Sequence, residues 1–308
     1  MRIYDMTSSK KFHGLVVPMV TPVTTDGSLD EPAVGRIVEH LVDGGVDGVF
    51  ILGTTGECAS LPVEIRRQFA AAAAKHLRNR ATLYMGIGDN CPARCAEAAK
   101  EVFSMGADAV VAHLPGYYPL QPSEMFAFYE SLADRVEGPL LVYNIPATTH
   151  LSIPIDVVAR LIPHPRIVGF KDSENSTERL EEVTRRLLGR DGFSLFIGAA
   201  ALSGRGLLSG MDGVIPSSGN LDPLSWRTLC DAACQGDRPE VERLQGQLNR
   251  LAQVFQRNRT LGQSLAALKA AMCVRGLCGA AVLPPLREVE PSEMAAIRQE
   301  LAALDPAL

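Results

Sequence analysis

Eight times in succession, a short run rich in β-branched and apolar residues passes through a polar turn into a stretch whose apolar residues recur at helical spacing. The runs begin at Gly14, Val46, Leu83, Ala109, Pro139, Ile167, Phe193 and Gly213. Helices are predicted after them over 31–43, 62–78, 92–105, 124–134, 154–162, 177–188, 200–209 and 223–233. No linker rich in Pro, Gly or Ser breaks the series, and strands alternating with helices in this way call for a parallel sheet. With eight units that sheet can close on itself, so the predicted fold is α/β, a (β/α)8 TIM barrel over residues 1–235. An open doubly wound sheet would carry a G-x-G-x-x-G turn after its first strand, and TPVTTDG has no such pattern. Beyond the eighth unit the sequence predicts a C-terminal helical extension over 236–308, with helices over 239–256, 261–275 and 291–304. In it Leu244, Leu248, Leu251, Val254 and Phe255 recur at a spacing suited to packing on the barrel or on another subunit.

Composition narrows the partners. A net charge of −5 with basic and acidic residues interspersed leaves no basic stripe for nucleic acid or for an anionic membrane surface, and small molecules remain. No apolar stretch approaches the ~20 residues needed to cross a bilayer. Seven scattered cysteines and an N-terminus unlike a signal peptide predict a reducing, cytoplasmic setting. Cys91/Cys95 and Cys230/Cys234 stand at i, i+4, but no histidine or further pair follows at a zinc-site spacing, so they are read as small core residues and no metal is expected.

In a barrel of this kind the reactive groups lie just past the C-terminal ends of the strands. The residues found there are Gly53-Thr54-Thr55-Gly56-Glu57 after the second strand, Tyr117 and Tyr118 after the fourth, Tyr143 at the end of the fifth and Lys171 at the end of the sixth. A lysine at the inner end of a buried strand is costly as an ammonium; partial burial lowers its pKa and frees an amine to attack a carbonyl. The competing reading is a lysine that snorkels to solvent or pairs with Asp172 or Glu174. GTTGE is either a turn whose N–H groups and hydroxyls hold a carboxylate, or a plain turn in which a threonine or Glu57 caps the next helix. Tyr143 is either a satisfied core tyrosine or a proton shuttle for an amine nucleophile.

Taken together, VPMVTPVTTDGSLD, GTTGE, PGYYP, YNIP, GFKDS and GVIPSSGN, in this order over nearly the whole chain, resemble the dihydrodipicolinate synthase / N-acetylneuraminate lyase family of class I, lysine-dependent pyruvate aldolases. The resemblance implies a lyase without metal or organic cofactor, built as a homotetramer (a dimer of dimers), acting on pyruvate or another 2-keto acid and an aldehyde. It implies that Lys171 is the Schiff-base lysine and Tyr143 the relay tyrosine. Gly53, Thr54 and Thr55 would bind the pyruvyl carboxylate, with Thr54 in the relay, and Tyr118 would reach a neighbouring subunit's site. Ile215 would lie beside the keto acid.

Two positions depart from the better-known branches. Thr148 stands where the synthase branch has a carboxylate-organising arginine, and a threonine lacks the bidentate fork. Gly198-Ala199-Ala200-Ala201 stands where the sugar-cleaving branches have acidic residues. Both predict an acceptor side less polar than either branch uses. Authentic dihydrodipicolinate synthase, a 2-keto-3-deoxy acid dehydratase, and a barrel kept only for ligand binding are the alternatives.

Overall fold

The computed structural model describes residues 10–304. Eight parallel strands close into a barrel in sequence order: β1 (Gly14–Pro18), β2 (Gly48–Ile51), β3 (Thr82–Gly86), β4 (Ala109–His113), β5 (Leu140–Asn144), β6 (Ile167–Asp172), β7 (Ser194–Ile197) and β8 (Gly213–Val214). The outer layer begins with α1 (Glu31–Asp43), α2 (Val63–Leu77), α3 (Pro92–Ser104), α4 (Pro122–Arg135), a single turn α5 (Pro146–Thr149) and α6 (Ile155–Leu161). It continues with α7 (Thr177–Leu187), α8 (Ser203–Leu208) and α9 (Pro223–Cys234), after which α10 (Arg238–Gln256), α11 (Leu261–Val274) and α12 (Pro291–Leu304) complete the chain. No helix among the described residues is long and apolar enough to cross a membrane.

Local chemistry explains where several elements start. Asp30, Ser176 and Asp222 each accept a backbone N–H three residues on, at 3.0, 3.2 and 2.9 Å, which satisfies a donor that the first helical turn leaves unpaired. A second device recurs on the opposite end of the barrel from the site. GVDGV, GADAV and GMDGV each place a left-handed glycine (Gly45, Gly106, Gly210) after a helix and an aspartate before a strand. Asp47, Asp108 and Asp212 then accept the N–H of Leu15, Leu83 and Leu195 on the neighbouring strand at 2.7, 3.0 and 2.8 Å. These bonds tie the N-terminal rim together and help to set the strand register.

Two cores result. The larger one lies between sheet and helices and takes in the buried faces of α10 and α11. The smaller fills the barrel with Phe12, Val16, Phe50, Tyr84, Phe196 and their neighbours. Because side chains alternate along a strand, membership of the inner core shows which residues point to the barrel axis.

Candidate active site

Three polar side chains form a row across the C-terminal mouth. His113 on β4 is in register with Tyr143 on β5, and Tyr143 with Lys171 on β6; adjacent strands run about 4.8 Å apart. Ala109 and Val111 point inward ahead of His113, as Leu141 does ahead of Tyr143, whereas Phe170 packs in the outer core and so turns Lys171 inward.

The strand predicted to release Lys171 into a polar turn instead runs through it to Asp172, and the lysine is 4% exposed. Its Nζ lies 3.9 Å from the centroid of the Tyr143 ring and 4.8 Å from that of Phe50. Gly198 makes room for its stem, since a Cβ there would stand 3.0 Å from Lys171 Cε. Among the described residues no carboxylate lies within ion-pair distance of Nζ. The two acids expected to be rival partners face away: Asp172 accepts from Arg179 Nε at 2.6 Å and from Asn144 Nδ2 at 2.9 Å, and Glu174 lies 3.2 Å from the same guanidinium. Burial therefore pulls the Lys171 pKa below its ordinary value, with Tyr143 working in the opposite direction.

The turn after β2 is built from left-handed Leu52 and Glu57, with Gly53 O accepting from Gly56 N at 3.0 Å and Cys58 N at 3.3 Å. Gly53 is required here because a side chain would stand 2.7 Å from the Phe50 ring under Lys171. Among the described residues, neither the N–H nor the hydroxyl of Thr54 or Thr55 is spent on the bonds that hold the turn, so both remain available to an anion. Glu57 does not cap a helix, as the alternative reading had it. Its buried carboxylate accepts from Lys269 Nζ on α11 at 2.7 Å and from Leu283 N at 3.1 Å. The extension after the barrel thus pins this turn from behind.

The remaining sequence-selected residues are arranged less tightly. Ile215, 3% exposed, donates its N–H to Ile197 O at 2.8 Å and lines the inner core. Thr148 sits on α5 with its hydroxyl folded back to Ile145 O at 3.3 Å. Tyr118 does not join the row within one chain: it is 67% exposed and stacks edge-on against Tyr117 at 5.1 Å. Two further residues here carry no motif in the sequence, His113 at the end of β4 and Gln245 on α10. The latter clamps the alanine segment after β7, donating to Ala200 O at 3.0 Å and accepting from Gly204 N at 2.8 Å.

Residues 11–304 match the model of the dihydrodipicolinate synthetase family. The chain belongs to that family. It is similar to the 4-hydroxy-tetrahydrodipicolinate synthase of Alkalilimnicola ehrlichii, 29% identical over 94% of this chain and 98% of the relative. It is also 32% identical to the enzyme of the same name from Shewanella sp., over 73% of this chain and 76% of the relative. Among solved structures it resembles dihydrodipicolinate synthase from Bacteroides thetaiotaomicron, with a TM-score of 0.90, 29% identity and coverage of 96% and 99% of the two chains. It also resembles YagE of E. coli, a family protein solved in complex with pyruvate, with a TM-score of 0.89, 28% identity and the same coverage. The family is one of class I, Schiff-base pyruvate aldolases, and this chain is a carbon–carbon lyase of that type.

Proposed function

We propose that Lys171 is the nucleophile that holds pyruvate, or the pyruvyl end of a larger 2-keto acid, as an imine, and that the enzyme makes or breaks the bond between carbons 3 and 4. The observation that carries the proposal is a buried lysine with no carboxylate partner among the described residues, lying against a tyrosine at the barrel mouth. Its lowered pKa supplies free amine nearer neutral pH than an exposed lysine would. Thr54 and Thr55, with Gly53 giving the turn its shape, hold the keto acid's carboxylate. Tyr143 shuttles the protons that carbinolamine formation and dehydration require. Once formed, the iminium draws the electrons of the breaking C–C bond into an enamine.

Tyr117 and Tyr118, exposed as a stacked pair, suit insertion into a second copy of the chain, in keeping with a dimer of dimers. Seven free cysteines fit a reducing cytoplasm. Borohydride reduction in the presence of pyruvate is expected to add a covalent mass on Lys171, and Lys171→Ala to abolish it; a wild-type protein that gives no adduct with any 2-keto acid would refute the proposal.

Synthesis of 4-hydroxy-tetrahydrodipicolinate, the activity in the names of the relatives above, is the second reading. Thr148 speaks against it, being neutral and with its hydroxyl spent on Ile145 O. A coupled assay with aspartate semialdehyde is expected to show weak turnover or none.

A further inference from the structure

His113 is the one member of the row that the chemistry above leaves without a task. Its place is built, since the ring lies against Gly88, where a Cβ would stand 2.2 Å from Nε2. Gly88 itself is two residues past the inward-facing Gly86 position of β3, so the missing side chain is what lets the imidazole occupy the mouth. Nδ1 lies 2.8 Å from Leu114 O. A carbonyl oxygen only accepts, so Nδ1 carries the proton and Nε2 of the neutral ring keeps its lone pair. Among the described residues, Nε2 has no hydrogen-bond partner.

The alanines after β7 carry no polar side chain, and the Thr148 hydroxyl, which donates to Ile145 O, is too weak a base, so neither offers a group that can take the proton of a substrate hydroxyl. His113, in register beside Tyr143 and one strand further from Lys171, does. We propose that His113 Nε2 is the acceptor-side base of this lyase, taking the C4 hydroxyl of a 4-hydroxy-2-keto acid bound as the Lys171 imine. The inference rests on the imine reading given above.

In cleavage the C4 hydroxyl proton passes to Nε2 as the C3–C4 bond breaks. The bond's electrons move into the iminium to give the enamine, and the C4 oxygen becomes the aldehyde carbonyl. Carbon 3 then takes up a proton and the imidazolium releases one, which restores the neutral ring and leaves the pyruvate imine for hydrolysis. In condensation the imidazolium protonates the aldehyde oxygen as carbon 3 attacks.

The groups that face the ring are consistent with a base. Burial lowers the His113 pKa, Lys171 lowers it further, and the Leu114 carbonyl and Asp89 after β3 oppose them, with Tyr143 in register on the next strand. At neutral pH the ring is therefore predominantly unprotonated, and it loses its lone pair as pH falls through its depressed pKa.

His113→Asn keeps a donor near the Nδ1 position and removes Nε2. Two readouts are taken together, borohydride trapping of pyruvate and aldehyde release from 4-hydroxy-2-keto acids of four to seven carbons. The asparagine variant is expected to trap pyruvate within about twofold of wild type. Its kcat/KM for cleavage is expected to fall on the order of 100-fold and to lose the acid limb of its pH profile. Gly88→Ala, which displaces the ring, is expected to act in the same direction with about a tenfold loss.

Wild type that traps nothing overturns the imine reading. Wild type that traps pyruvate but cleaves no member of the series overturns the assignment of His113 alone, as does a His113→Asn variant that cleaves within about threefold of wild type. Trapping and cleavage that fall in step in His113→Asn show a structural role and overturn it as well.

Discussion

Lys171 and Lys269 are both buried, 4% and 1% exposed, and their surroundings differ in one respect. Lys269 meets the Glu57 carboxylate at 2.7 Å, so its charge is matched inside the protein. Lys171 meets two aromatic faces and, among the described residues, no acid, and the nearby carboxylates of Asp172 and Glu174 are held by Arg179 on the outer side of the strand. Burial is common to both, and only the absence of a matched charge makes an amine available for chemistry. In the function proposed above, the paired lysine would serve the unpaired one indirectly, because Glu57 belongs to the same turn as Thr54 and Thr55.

The comparison can be broken from either side. The largest effect is expected at the paired lysine: Lys269→Met strands a buried carboxylate and should cost about 3–5 kcal/mol in denaturant unfolding. Glu57→Leu combined with Lys269→Met should recover most of that loss. A single variant as stable as wild type would show that the pair is not what holds the turn.

At the unpaired lysine the sign reverses. Lys171→Met should stabilise the fold by roughly 1 kcal/mol at pH 7 while removing the adduct with pyruvate. With its folded pKa lowered, Lys171 binds fewer protons folded than unfolded between that value and the unfolded one of about 10.4. Its presence therefore costs stability below this window, and the gain from Lys171→Met should shrink as pH rises through it. A gain that grew with pH would contradict the lowered pKa. The smallest effect is a displacement along the pH axis: the rate of trapping with pyruvate should rise with pH through a midpoint below that of an ordinary lysine, and a midpoint at the ordinary value would put Lys171 in solvent.

The strand–helix periodicity was enough to predict the barrel, because each unit carries its own local signals, from the β-branched runs to caps such as Asp30 and Asp222. The three G-x-D-(G/A)-V repeats were also present in the sequence, and their glycines and aspartates could have located the opposite rim. Local boundaries were less well determined. β2 begins at Gly48, two residues after the run that starts at Val46, and ends at Ile51 because Leu52 turns left-handed, and α5 is one turn that no periodicity of four residues can announce.

What the sequence determined alone was the order of elements and the list of groups at strand ends, since both follow from neighbours a few residues apart. The company each group keeps was decided by the closed barrel. Asp172 is next to Lys171 in the chain yet faces the other side of the sheet, because adjacent strand residues point oppositely. Glu57 finds Lys269 from 212 positions away, and His113 joins Tyr143 and Lys171 only when three strands come into register. Charge pairing acts over a few ångströms of space, and separation along the chain does not measure that distance.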